Sequence, residues 1–169
     1  MVSTTDYDHY LAKKAASLIR ENFQERGVTN LLVVKWGGKW SRKLGHIKPL
    51  KNNKNCDTEF GSIIEINSLL KDIEVPEYVL DYVLMHELTH YFQGFGSNHE
   101  RKAKHPHRGG IVDKEIERLG WGEIMENSEK WLKENWPKIL EKNGKSIYVK
   151  PRKFRQKRIK LIKFFDWFR

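Results

Sequence analysis

A chain of 169 residues is long enough for one domain with a buried core and short for two. Its hydrophobic share of 38% and aromatic share of 12% exclude wholesale disorder, while a single cysteine, Cys56, excludes an internal disulfide and any metal site built from several thiolates. The formal charge of +10 is concentrated in residues 150–169, which carry nine Lys and Arg against one Asp, so the remainder is close to neutral.

Taken in chain order, Thr4 and Thr5 offer helix caps, and apolar residues then recur every four positions at Tyr7, Leu11, Ala15, Ile19 and Phe23 before Gly27. This pattern predicts an amphipathic first helix. The β-branched and aromatic stretch Asn30 to Trp36, closed by Gly37-Gly38, predicts a strand, with a partner expected around Leu44 and Ile47. A polar loop from Lys51 to Thr58 leads to a second strand, Gly61 to Asn67. Pro76 and Glu77 suit the start of a helix that continues through Phe92 to Gly94, apolar nearly all round and therefore expected to be buried. Two further helices are predicted, from Ile111 to Leu119 and from Glu123 to Leu132. The order predicts an α+β domain over residues 1–149 with a small, mostly antiparallel sheet, followed by a basic, aromatic tail over 150–169.

His86-Glu87-Leu88-Thr89-His90 lies inside the predicted buried helix. Four residues is just over one turn, so both imidazoles project from one face and can reach one ion. Without an ion, that buried helix would have to hide three costly polar groups. Imidazole nitrogen suits Zn2+, and a catalytic zinc needs three protein ligands with a fourth position for water. Glu87, about 100° round the helix from His86, is placed to act as general base. The expected chemistry is amide hydrolysis of a protein or peptide substrate. His107, which follows Pro106 and stands just ahead of the Ile111 helix, is the favoured third ligand; Glu115, His99 and His105 are the alternatives.

Tyr82 to His90, followed by Pro106-His107-Arg108-Gly109 and Arg118-Leu119-Gly120, resembles the SprT-like metallopeptidases. Trp40 to Leu44 and Ser62 to Leu70 are similar to that family's tryptophan-basic segment and to its strand before the active-site helix. The resemblance implies a zincin-like fold and a zinc protease acting on proteins bound or crosslinked to DNA. It also implies that substrate adds as an extra strand along an exposed sheet edge, for which Gly61 to Asn67 is the candidate. The family's zinc ribbon is missing, because one cysteine cannot build it.

The tail from Lys150 to Arg169 mixes cations with Phe154, Phe164, Phe165, Trp167 and Phe168. Three readings stand side by side: packing of its apolar residues on the domain, binding of nucleic acid through phosphate and base stacking, and binding of a membrane surface. A nucleic-acid-binding protein with a structural zinc is therefore the alternative function. No apolar run approaches the roughly 20 residues of a membrane span and no secretory signal is evident, so a soluble, cytoplasmic protein is expected.

Overall fold

The computed structural model describes residues 4–50 and 61–145, with side chains from Asp8 onward. Cys56, the Lys51 to Thr58 loop and the basic tail lie outside the described residues.

Helix α1 spans Thr4–Asn22 and buries Leu11, Ala15 and Leu18. Just past its end, Phe23 stacks on Phe92 at 4.2 Å between ring centroids. Three strands follow, β1 (Leu32–Trp36), β2 (Gly45–Leu50) and β3 (Gly61–Ile66), in the spatial order β1-β3-β2. β3 is parallel to β1 and antiparallel to β2, so the sheet is mixed.

Two expectations are corrected here. β2 pairs with β3 instead of β1, and Gly61 to Asn67 forms the central strand, with both edges occupied. The cause lies in residues 37–44. Gly37-Gly38 does not make a tight hairpin turn; it clears space for the Trp40 indole, which lies so close that a β-carbon at either glycine would collide with it. The chain is then drawn across the end of β3, where Asn67 holds it from both sides. Its Nδ2 donates to the carbonyls of Trp40 (2.7 Å) and Lys43 (2.8 Å), while its Oδ1 accepts from the Leu69 N–H (3.0 Å) at the start of a 3-10 turn, Ser68–Lys71. The backbone N–H of Asn67 also donates to Leu44. A fully buried amide with this many partners specifies the crossing.

Helix α2 (Glu77–Phe92) begins one residue after Pro76, and every side chain from Tyr82 to Phe92 is buried. It runs between two layers. The sheet and α1 lie on one side, meeting it through Ile64, Ile66 and Leu11; α3 (Ile111–Arg118) and α4 (Gly122–Lys142) cover the other through Val112, Ile116, Leu132 and Trp136. α4 extends ten residues past the predicted end at Leu132, through Pro137, whose exposed ring costs one backbone bond that burial of Trp136, Ile139 and Leu140 offsets. No helix among the described residues is long and apolar enough to cross a membrane.

Candidate metal centre

Because α2 is buried on all sides, its polar residues depend on one another and on the cleft they face. His86 is 2% exposed, Glu87 6% and His90 5%. One turn apart, the Nε2 atoms of His86 and His90 approach to 3.2 Å. His107 completes the group: its ring lies 4.7 Å from that of His90 and 5.7 Å from that of His86, and ligand atoms of the three residues fall within 4.8 Å of one another. Three imidazoles are therefore close enough to hold a metal ion.

His107 reaches α2 because of how α3 starts. A 3-10 turn, Arg108–Gly110, follows His107, and Gly109 and Gly110 take positive φ values of 72° and 65° to turn the chain into α3. Gln93 fixes the other side of this junction, donating from Nε2 to the Ile111 carbonyl at 3.0 Å. The N–H of Phe95 donates to the His90 carbonyl, and its ring meets the His90 imidazole edge-on at 5.8 Å.

The alternative ligands are committed elsewhere. Glu115 accepts from Arg26 at 2.6 Å and from Arg118 at 2.9 Å, and the Arg118 hydrogen bond, with both guanidinium charges, pulls its pKa down to about 2. His99 packs 5.1 Å from the Tyr91 ring and 5.2 Å from that of Phe92, outside the cluster. His105 is exposed and is not part of the cluster either.

Burial sets the charge states. It drives His86 well below the usual histidine range, helped by His90 and His107, and lowers His90 to about 3. Neutral imidazole is the form that binds a metal, so the donor set fits a divalent cation that prefers nitrogen. Burial also raises Glu87 to about 8 against the opposing pull of the Lys43 ammonium. A dication at the three nitrogens would favour the Glu87 carboxylate again.

These residues floor a cleft of about 340 Å3, walled by β2 and the Arg42 to Leu44 segment on one side and by Phe95, Gly96 and Pro106 on the other. Gly45 packs directly on the catalytic candidate: a β-carbon there would stand 2.8 Å from Glu87 Oε1 and 2.9 Å from its Cγ. Because the Asn67 N–H bonds to the Leu44 carbonyl, the register makes Leu44, His46 and Lys48 face β3 and turns the peptide groups of Gly45 and Ile47 outward. Pro49, the next outward position, suits an edge because no partner among the described strands needs its missing N–H.

Sequence reasoning missed Gly45, Asn67 and Gln93. The isolated glycine opening a predicted strand was the available signal for Gly45; nothing local marked the other two. No family model matches the chain, and neither a curated protein nor a solved structure is recognisably similar to it.

Proposed function

We propose that this protein is a zinc-dependent peptidase in which His86, His90 and His107 hold the metal and Glu87 is the general base. The observation that carries the reading is the convergence of two buried imidazoles, a half-buried third and one buried carboxyl on a single cleft, beside a strand edge that no other described strand pairs with. The order of motifs, similar to that of SprT-like metallopeptidases, supports the same reading.

Zinc, when bound by three nitrogens, supplies Lewis acidity towards a water and a substrate carbonyl. The chain's own residues do the rest. A peptide laid along β2 can bond its backbone to the outward peptide groups of Gly45 and Ile47, which brings a scissile amide over the α2 face. Glu87, held against Gly45, takes the proton of the attacking water and passes it to the departing amine. Phe95 and Pro106 line the cleft beside these groups.

Glu87→Gln tests this assignment. The variant is expected to keep one zinc per chain and to cleave an unfolded protein such as casein roughly 10²- to 10⁴-fold more slowly. Wild-type rates from the zinc-loaded variant, or no cleavage by zinc-loaded wild type, would overturn the proposal.

A further inference from the structure

Lys43 lines the cleft, two residues ahead of Gly45, and is held on two sides. Its Nζ lies 4.0 Å from the centroid of the Trp40 ring and 3.1 Å from His46 Nδ1. Glu65 orients that histidine: His46 Nε2 lies 3.0 Å from Glu65 Oε2, a carboxylate also bound by Lys48 at 2.8 Å and Lys35 at 3.3 Å. With Nε2–H donated to Glu65, Nδ1 is left as a lone pair that can only accept, and it accepts from Lys43. Burial and the neighbouring Lys43 charge keep His46 below its ordinary pKa, in agreement with a neutral ring.

The chain Glu65–His46–Lys43 thus fixes an ammonium without neutralising it. Lys48 is taken by Glu65, whereas Lys43 forms no ion pair with a carboxylate among the described residues. Among the described residues that line the cleft, Glu87 is the only carboxylate, so little there repels a second anion. Lys43 lines the same cleft as Gly45 and Ile47, just ahead of the strand whose outward peptide groups a peptide would use. A peptide extended along that edge presents alternate side chains on one face, about 6.8 Å apart, and one of them falls beside the ammonium.

We propose that Lys43 is a specificity-determining residue that selects an acidic side chain on the peptide substrate, close to the bond to be cut. The inference rests on the peptidase reading and adds the substrate's chemistry to it. Because the cation is already ordered by Trp40 and His46, pairing it with a carboxylate loses little further side-chain freedom. A charged hydrogen bond in such a setting corresponds to about a tenfold gain in affinity.

The experiment uses the full chain carrying Glu87→Gln and loaded with zinc, so that peptides bind without turnover. Fluorescence anisotropy compares a neutral decapeptide with a series bearing one Glu at each position in turn, at fixed salt. At least one position is expected to bind about tenfold more tightly than the neutral peptide. Adding Lys43→Gln should erase that gain while zinc content is unchanged, and Lys43→Arg should keep it. The basic tail attracts acidic peptides equally in all three proteins, so the comparison isolates position 43. No preferred Glu position, or a preference that survives Lys43→Gln, overturns the inference. A single-stranded oligothymidine is the third probe: if it alone loses affinity in Lys43→Gln, the ammonium serves phosphate and the inference is wrong. If neither peptide type binds while zinc-loaded wild type cleaves casein, the inference falls alone; if casein is also untouched, both readings fall.

Discussion

At Gly45 a side chain of any size would compete with Glu87 for the same space, since the missing β-carbon would sit 2.8 Å from the carboxylate oxygen. Gly45→Ala should therefore push Glu87 out of line without touching the three imidazoles. A displacement of about 1 Å at a reacting group costs on the order of 100-fold in rate. The expected result is unchanged zinc stoichiometry with kcat on casein lowered by 10- to 100-fold, as estimated on that basis; full activity would mean that Glu87 has room to adjust. The contrast with the histidines shows what single residues reveal in a sequence. His86, Glu87 and His90 are legible because a helix converts their spacing into a shared face by itself. His107 was one of several candidates, separated from the pair by a loop whose path depends on Gln93 and two glycines in the left-handed region. Gly45 touches Glu87 across 42 positions of sequence, and no local pattern encodes such a contact.

The elements themselves follow from periodicity, but their pairing does not. Strand character in Leu32 to Trp36 and Gly61 to Ile66 was visible from β-branched residues, and burial of α2 from its unbroken apolar surface. That β3 would enter between β1 and β2 depended on the side chain of Asn67, a residue that reads locally as a strand end. Removing it tests this account. Asn67→Ala deletes two donated bonds and the two accepted from the Leu69 and Trp40 N–H groups, leaving the carbonyls of Trp40 and Lys43 to find other partners. Losses of this kind cost roughly 2–4 kcal/mol in total. Urea denaturation should show an unfolding free energy lowered by about that amount, read as a lower midpoint at unchanged slope, and the zinc-loaded variant should also lose peptide affinity because the Trp40 to Gly45 wall is no longer held. A midpoint within experimental error of wild type would show that the crossing is set by other contacts. The far end of α4 illustrates the opposite case: Trp136, Ile139 and Leu140 continue the spacing set by Met125, Ser128 and Leu132, so the helix extends through Pro137 on packing alone.

For the molecule as a whole, burying ionisable groups at one site ties global stability to pH and to metal. Zinc at about 1,000 times its dissociation constant stabilises the folded state by about 4 kcal/mol, which for a domain of this size raises Tm on the order of 10 °C. In chelator-treated protein the buried groups of the site contribute a pH dependence of their own. His86 and His90 take up protons below about pH 6.5 when unfolded, yet stay neutral when folded, His90 down to about 3. The unfolded chain then binds more protons, so these two groups make stability rise with pH up to about 6.5. Glu87 acts in the opposite sense: it keeps its proton up to about 8 when folded and loses it near 4.5 when unfolded, so its contribution falls as pH rises through that window. Between about 4.5 and 6.5 the two histidines outweigh the one carboxyl, and above about 6.5 only the carboxyl is left. Metal-free protein should accordingly show a Tm maximum near pH 6.5 and a decline towards pH 8. Glu87→Gln removes the group responsible for the declining limb, so its metal-free profile should level off above pH 6.5 while the acid limb remains. Thermal scans of both proteins from pH 4.5 to 8.5 in chelator decide the matter: a decline that persists in Glu87→Gln would place its source elsewhere in the fold.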